Sequence, residues 1–356
     1  MKACLLLLLC ACAALAQVPD IDWNRARELF RREQRGETLG ADARAYLDRA
    51  KAARRGGGGT TGGAVSQRKA PERLKPLCDM GADDRYEGED GGLYGGGRNE
   101  PSEALLRAAG TALKQIQPLN AEGSPDAGGR VVLVSISMSN ATQEFSVFKT
   151  LADADPRKSP KLTIVDCAQG GQAMAEWVPP EGRPWQEALT RLERAGVSPA
   201  QVQVAWVKLA NKAPSGSMND HLARLEADTT ALLRNARARF PNLRVVYLGS
   251  RIWAGNATGN LNPEPYAYET AFAARHLILR QPAAKGTADA ADPVLLWGPY
   301  LWAEGEKGRQ LDEVRYLPGD FAADGVHPST SGREKVARQL LDFFTTHPLA
   351  KNWFGR

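Results

Sequence analysis

The chain has 356 residues, of which 46 are Lys or Arg and 41 are Asp or Glu, so its formal net charge is +5 at pH 7. This charge is small, its two signs are interspersed, and no dense basic stripe with aromatic residues occurs, which argues against a nucleic-acid partner. The few cysteines and the scattered histidines form no cluster with the ligand spacing of a zinc site.

The first 16 residues have the anatomy of a secretory signal peptide. Lys2 supplies a positive start, residues 5–9 form an apolar run, and residues 14–16 read Ala-Leu-Ala, a small-x-small cleavage site. The apolar run is too short to span a bilayer, which takes ~20 residues. We expect cleavage before Gln17 and a secreted or periplasmic mature protein without a membrane span. Cys10 and Cys12 could indicate a lipid-anchored protein instead, although no clear lipobox precedes Cys12.

Residues 17–55 are predicted to form a helical hairpin. Apolar residues recur at helical spacing over 23–34 and again over 41–54, and two glycines lie between these segments. A Gly-rich linker follows over residues 56–70. The hairpin could dock on the main domain, bind a partner or act as a tether, and the sequence does not distinguish these roles.

Residues 71–129 are predicted as a loop-rich region that packs on or near the active edge of the main domain. Acidic side chains cluster between positions 79 and 90, but their spacing is not that of an EF-hand loop. A solvated surface loop is therefore the preferred interpretation over a calcium site. The glycine run of 91–97 lacks the features of a phosphate-binding loop. A helix is predicted over 102–117.

From residue 130 the pattern becomes regular and predicts a main domain over 130–350. Nearly continuous apolar runs alternate with amphipathic segments, which is typical of a parallel sheet covered by helices on both faces. We therefore predict a doubly wound α/β domain. The predicted strands are Val131–Ser137, Leu162–Val165, Val202–Val207, Arg244–Leu248 and Val294–Trp297, and the predicted helices lie near 145–152, 185–195, 219–239, 266–280 and 332–345.

Polar residues follow these strands, and the carboxyl ends of parallel strands meet at the ligand-binding edge of the sheet. A serine hydroxyl becomes nucleophilic when a histidine takes its proton, and a carboxylate orients that imidazole. Backbone and side-chain amides at the same edge could hold an oxyanion. Ser139 follows the first strand, Gly171 the second and Asn211 the third, while Asp324 and His327 precede the last helix.

Taken singly, each of these residues is more often a turn or cap residue. Their order, however, resembles the four blocks of the SGNH, or GDSL-type, hydrolase superfamily over roughly residues 130–346. The most specific block is Asp-Gly-Val-His-Pro-Ser at 324–329, which leads into a helix. The resemblance implies catalytic Ser139, Asp324 and His327, with Ser139, Gly171 and Asn211 as oxyanion-hole residues. It also implies a three-layer αβα sandwich, flavodoxin-like, around a five-stranded parallel sheet, here with an N-terminal helical appendage.

Two blocks depart from the family pattern. The Gly-Asp-Ser block reads Ser-Met-Ser here, so Ser135 and Ser137 stand as alternative nucleophiles. Ser139 is preferred because it lies where the chain leaves the sheet. The Gly-x-Asn-Asp neighbourhood ends in Lys212 instead of Asp, and the glycine block could also align at Gly170.

Aromatic and amide side chains near the strand ends suit the ring and hydroxyls of a sugar. Exported bacterial members of the superfamily often remove acetyl groups from polysaccharides. The resemblance therefore implies an exported serine esterase that acts on a small-molecule or polysaccharide ester through an acyl-enzyme, with no metal or organic cofactor. The residues expected to contact the substrate are Asn140, Gln172, Trp253, Tyr300 and Trp302.

Other interpretations stay open at this point. The chain could be an inactive carbohydrate-binding protein on the same fold, or a glycoside hydrolase that uses Asp320 with Asp324 or Glu264. Cationic residues near the strand ends could meet an anionic substrate group, although ion pairing is their more usual role; these residues are Lys208, Lys212 and Arg251. Cys78 and Cys167 could form one disulfide or remain separate buried thiols, and the oligomeric state is open.

Overall fold

The computed structural model describes residues 22, 25, 26, 28, 29, 32, 39–56, 68–287 and 292–355. The predicted signal peptide and most of the predicted linker lie outside these residues. Within the part of the chain that the structure describes, no helix is both long and apolar enough to cross a membrane. The chain divides into two compact units, residues 1–65 and 66–356.

The N-terminal unit contains helix α1, Ala41–Gly56. The described residues between 25 and 32 are also helical. Leu29, Leu39 and Leu47 are buried together, and Tyr46 packs against this cluster. The Tyr46 hydroxyl accepts a hydrogen bond from the Asp22 backbone N–H at 2.9 Å. A small apolar cluster therefore holds this unit together.

The second unit is built on a five-stranded parallel sheet. Its strand order is β2-β1-β3-β4-β5, so the direction of winding reverses between β1 and β3. Ligands bind at such a switch point in open α/β sheets. The strands are β1 Val131–Ile136, β2 Leu162–Asp166, β3 Val202–Lys208, β4 Val245–Gly249 and β5 Val294–Trp297.

Helices cover both faces of this sheet, which explains why its strand residues are almost all buried. The helices are α2 Glu103–Lys114, α3 Ser139–Ala154, α4 Arg183–Arg194, α5 Met218–Arg239, α6 Tyr266–Arg280, α7 Thr330–Thr346 and α8 Lys351–Phe354. Helix α3 packs against α7, and α5 packs against α6. Right-handed crossovers place α3 on one face and α4 to α6 on the other. The predicted α/β class, with a five-stranded parallel sheet between helical layers, is confirmed.

Large aromatic side chains fill the space between the sheet and the α3–α7 layer. Phe145 stacks on Trp206 of β3 with ring centroids 5.5 Å apart. Tyr247 of β4 meets Phe344 edge-on at 5.6 Å. Short 3₁₀ turns complete the loops at Leu77–Asp79, Met174–Trp177, Pro199–Gln201, Pro282–Lys285 and Pro318–Asp320.

Helix α3 begins at Ser139, six positions before the predicted start at residue 145. The polar residues at 139–143 have weak helix propensity, but tertiary hydrogen bonds outweigh that preference. Asn140 Nδ2 donates to the Val326 carbonyl at 2.8 Å. Thr142 Oγ1 donates to the Asp166 carboxylate. The helix therefore extends back to the end of β1.

The segment before β1, residues 71–129, packs on α6 and the β5 end of the sheet. The Trp297 indole donates to the Leu93 carbonyl at 2.8 Å, and Arg275 Nη1 donates to the Asp90 carbonyl at 2.7 Å. Four of the acidic residues between positions 79 and 90 have protein partners. Glu89 and Asp90 pair with Arg275, and among the described residues no group of His, Cys, Asp and Glu is arranged to hold a metal ion.

Cys78 and Cys167 are free, buried thiols rather than a disulfide. Burial raises the pKa of each thiol. A thiolate is therefore disfavoured at both positions, and both cysteines act as small core residues.

Candidate active site

Three side chains converge at the carboxyl edge of the sheet. Ser139 is the first residue of α3, directly beyond the end of β1. Its Oγ lies 2.7 Å from His327 Nε2. On the other side of the imidazole, Nδ1 lies 2.5 Å from Asp324 Oδ2. The structure thus brings together the three residues that the sequence predicted as catalytic.

The loop before α7 shapes the Asp324–His327 pair. Asp324 Oδ1 accepts the backbone N–H groups of Val326 at 3.0 Å and His327 at 2.9 Å. Gly325 lies between them with φ +67°, and a Cβ there would come within 1.8 Å of the Asn256 carbonyl oxygen. Only glycine fits this close approach, so the tight turn depends on Gly325.

The electrostatics favour an ionised Asp324. Burial pushes the pKa of this carboxyl upward, but hydrogen bonds from the His327 side chain and from the backbone of His327 and Val326 outweigh it and hold the pKa below its usual value. An ionised carboxylate only accepts hydrogen bonds, so His327 Nδ1 carries the proton. Nε2 is then free to accept the Ser139 hydroxyl proton.

The alternative serines have other roles. Ser135 and Ser137 are fully buried. Ser135 Oγ donates to Asp166 Oδ1 at 2.5 Å, and Ser137 Oγ donates to the Lys208 carbonyl at 2.5 Å. Ser139 is partly exposed. Of the three serines, Ser139 alone contacts His327.

Gly171 and Asn211 follow β2 and β3 at the same edge. Gly171 has φ +77°, and no heavy atom lies within 4 Å of a Cβ built on it, so a substrate group can approach its backbone. The neighbouring Gly170 does not adopt a left-handed φ. As the first residue of α3, Ser139 has a backbone N–H without an acceptor inside its helix.

The Asn211 amide is nearly buried and fixed on both ends. Its Oδ1 accepts the Ala175 N–H at 2.9 Å, and its Nδ2 donates to Asp228 Oδ2 at 2.6 Å. An amide nitrogen carries two hydrogens, so one remains beyond the bond to Asp228. Asp228 orients this amide, and no local sequence pattern indicates that role because Asp228 lies in the middle of α5.

Three of the predicted substrate contacts are wrong because the side chains are buried. Asn140 is 1% exposed and bonds the Val326 carbonyl. The Tyr300 hydroxyl accepts the Leu77 N–H at 3.0 Å, and the Trp302 indole donates to Glu264 Oε1 at 2.8 Å. Each residue supports a loop instead of facing solvent. Gln172 and Trp253 are partly exposed and stay predictions as substrate contacts.

Trp253 lines a cavity of about 450 Å³ beside the Asp324 loop. Its lining also includes Glu304 and Lys307. Ala254, Gly255 and Ala257 also line the cavity, and the next residue, Thr258, donates its backbone N–H to the Asp324 carbonyl at 3.1 Å. The cavity therefore adjoins the loop that carries Asp324.

A buried charged cluster lies beneath Ser139. Lys208 Nζ contacts both Glu144 oxygens at 2.6 and 2.5 Å, and both side chains are fully buried. Arg251 is 1% exposed, and its Nη1 lies 3.7 Å from Met138 Sδ. Its Nε and Nη2 have no hydrogen-bond partner among the described residues. Burial lowers the pKa of Lys208, and the nearby Glu144 carboxylate opposes that shift.

The expectation that Lys208 and Arg251 could meet a substrate anion is therefore wrong, since neither reaches solvent. Sequence reasoning missed Glu144 altogether. The one available signal was the pair of charges at otherwise apolar positions, Lys208 at the end of a strand and Glu144 on the inner face of α3.

The carboxylates proposed for a glycoside hydrolase are committed to other contacts. Glu264 accepts hydrogen bonds from the Ala254 and Tyr268 backbones and from the Trp302 indole. Burial raises the pKa of Glu264 to about 7 against these bonds. Asp320 is 5% exposed and pairs with Lys335. These contacts leave no free carboxylate pair among Asp320, Asp324 and Glu264.

No family model matches the chain, and no curated protein matches it. Several solved structures do match. A proposed acylhydrolase from Bacteroides fragilis is 15% identical over 67% of this chain and 95% of its own, with a TM-score of 0.34. A catalytic mutant of Axe2, an acetylxylan esterase from Geobacillus stearothermophilus, is 13% identical over 60% of this chain and 93% of its own, with a TM-score of 0.33.

The periplasmic domain of a lipopolysaccharide acetyltransferase from Salmonella Paratyphi A is 12% identical over 67% of this chain and 95% of its own, with a TM-score of 0.33. At such low identities and TM-scores, these likenesses assign no activity or substrate to this chain. Independently of these solved structures, the strand order and the order of the polar blocks along this chain agree with the SGNH resemblance.

Proposed function

We propose that this protein is an exported serine esterase of the SGNH type that removes acetyl or other short acyl groups from a carbohydrate. One observation carries the proposal. Ser139 Oγ, the His327 ring and the Asp324 carboxylate form a continuous hydrogen-bonded chain, with contacts of 2.7 and 2.5 Å. This arrangement is the one that activates a serine hydroxyl for acyl transfer.

The proposed reaction has two steps. His327 accepts the Ser139 proton while Oγ attacks the ester carbonyl, and the protonated imidazole then donates that proton to the leaving alcohol. Water, activated by the same imidazole, attacks the acyl-enzyme and releases the acid. Asp324 orients the ring and stabilises its protonated form through both steps.

Backbone and side-chain amides would stabilise the oxyanion that forms at each step. The Ser139 N–H, the Gly171 N–H and the remaining Asn211 amide hydrogen are the proposed donors. The open space at Gly171 supports this assignment, because a side chain there would face the approaching carbonyl. Donors of this kind contribute most when they are fixed before the charge develops.

A carbohydrate substrate is supported by the cavity beside the Asp324 loop. The partly exposed Trp253 offers an indole ring, while Glu304 and Lys307 offer hydrogen-bonding groups. Sugar rings bind to surfaces that combine an aromatic side chain with polar groups. Secretion is supported by the signal-peptide pattern of residues 1–16.

The proposal is tested with p-nitrophenyl acetate and an acetylated xylo-oligosaccharide. We expect hydrolysis of both, a loss of kcat of at least about 10³-fold in Ser139→Ala, and covalent labelling of Ser139 by a fluorophosphonate. Ser146→Ala is the matched control, because Ser146 is exposed on the same helix. Absence of both hydrolysis and labelling in the unaltered protein would favour the inactive carbohydrate-binding alternative.

A further inference from the structure

Lys212 directly follows Asn211 and connects two of the loops at the site. Its Nζ lies 3.0 Å from the Gly171 carbonyl oxygen. It also forms an ion pair with Glu176 Oε1 at 2.5 Å. The Lys212 side chain is 44% exposed, so it reaches these groups across the surface rather than from the core.

Glu176 completes the link on the other side. Its second oxygen, Oε2, accepts the Ala173 backbone N–H at 2.8 Å. Lys212 and Glu176 therefore hold the turn of residues 171–173 from both ends. Two further bonds join the same loops, from the Met174 N–H to the Ala210 carbonyl at 3.0 Å and from the Ala175 N–H to Asn211 Oδ1.

Few other contacts fix the backbone at Gly171; one is the hydrogen bond from the Gln172 N–H, in the same peptide group as the Gly171 carbonyl, to the Gln169 carbonyl at 3.2 Å. Gly171 has no side chain, its φ of +77° lies in the left-handed region, and no heavy atom lies within 4 Å of the position of a Cβ. Glycine loses more conformational freedom on ordering than any other residue. A contact to its carbonyl is therefore well placed to set the direction of the peptide groups on either side.

We propose that Lys212 is a positioning residue that fixes the Gly171 turn for oxyanion binding, an inference that rests on the proposed esterase function. Lys212 acts through Gly171 and Glu176 and does not touch the reacting atoms. As an exposed ion pair it adds little to folding stability. Lys212 affects the stability of the transition state instead, because a Gly171 N–H donor displaced by about 1 Å would lower the rate on the order of 100-fold.

The test compares Lys212→Met and Lys212→Arg with the unaltered protein on p-nitrophenyl acetate, a neutral ester. We expect Lys212→Met to lower kcat by about 10- to 100-fold with little change in KM, and Lys212→Arg to recover most of the loss. Lys149→Met is the matched control, because Lys149 is also 44% exposed and ion-paired, to Asp153. Its kcat should equal that of the unaltered protein.

Thermal unfolding of each variant separates positioning from folding, since Lys212→Met should unfold at nearly the same temperature as the control. Glu176→Gln tests the same link from its other end and should lower kcat in the same direction, but less. An unchanged kcat in Lys212→Met overturns the proposal, and so does an effect confined to KM, which would mean direct substrate contact. Failure of the esterase function itself is distinguishable, because the unaltered protein would then be inactive and unlabelled.

Discussion

Asp324 uses its two oxygens for different tasks. Oδ1 accepts hydrogen bonds from the backbone N–H groups that close the turn, while Oδ2 accepts a hydrogen bond from the His327 Nδ1–H. An asparagine at this position keeps an oxygen for the backbone but turns an N–H₂ group towards Nδ1. Two donors would then face each other, so the ring would move its proton to Nε2 and lose the ability to accept from Ser139.

Asp324→Asn is therefore expected to keep the turn and lose the activity. We expect kcat on p-nitrophenyl acetate to fall by about 10³- to 10⁴-fold, with a thermal unfolding temperature close to that of the unaltered protein. Asp153→Asn, an exposed change on α3, serves as the control. A loss of less than about 10-fold would show that Asp324 does not orient the base.

Helix α3 is positioned from outside its own sequence. Its N-cap residue, Met138, makes no side-chain cap hydrogen bond. The start of the helix is held instead by Asn140 on the Val326 carbonyl and by the Glu144–Lys208 pair between α3 and β3. The element that carries the proposed nucleophile is thus attached to the sheet through a buried ion pair.

The stabilities contributed by Glu144 and Lys208 should be coupled, because each side chain neutralises the buried charge of the other. Glu144→Gln or Lys208→Met alone leaves an unpaired buried charge, which costs about 3–5 kcal/mol of unfolding free energy. The double variant Glu144→Leu/Lys208→Met removes both charges and should lose less than the sum of the two single losses, while the buried Arg251 still loses the nearby Glu144 carboxylate. Urea denaturation of the two single variants and the double variant measures the coupling. If the loss in the double variant equals the sum of the two single losses, the two side chains have no direct interaction energy.

At the scale of the whole molecule, charged residues attach the segment before β1 to the helical layer. His276 of α6 contacts Glu226 of α5 at 2.7 Å through Nδ1 and Glu89 of the segment at 3.1 Å through Nε2. Arg275 and Arg280 pair with the same two carboxylates. Burial lowers the pKa of His276, but the hydrogen bonds to Glu226 and Glu89 outweigh it and raise the pKa above its usual value.

This attachment should depend on pH. A histidine whose pKa is raised in the folded state stabilises the fold fully below its unfolded pKa of about 6.5, and the effect is lost as the pH rises through the folded value. His276→Gln should therefore lower the unfolding free energy by ~1–2 kcal/mol near pH 6 and by less near pH 9. Burial lowers the pKa of His347, so His347→Gln serves as the control. Its loss of unfolding free energy should be no larger near pH 6 than near pH 9. An equal loss at both pH values in His276→Gln would contradict the ionic role.

The strands and the order of the site residues could be predicted because they are local patterns. Runs such as 294–297 are apolar throughout, and the block at 324–329 contains its own turn, base and orienting acid. The contacts that could not be predicted join distant parts of the chain. From its sequence context Asn140 resembles a surface residue, but its amide is buried against the Val326 carbonyl. Tyr300 and Trp302 likewise contact residues distant in the chain, Leu77 and Glu264.

The burial of Asn140 also determines how the protein can be produced. Residues 140–142 and 256–258 both read Asn-Ala-Thr, which a eukaryotic secretory pathway recognises for N-glycosylation. Asn256 is exposed and could carry a glycan, whereas a glycan on Asn140 would block the bond to Val326 and keep α3 from closing on the sheet. Replacing Thr142 to remove the acceptor would take a hydrogen bond from the partly buried Asp166. A bacterial host, which leaves both asparagines bare, is therefore the suitable source of active protein.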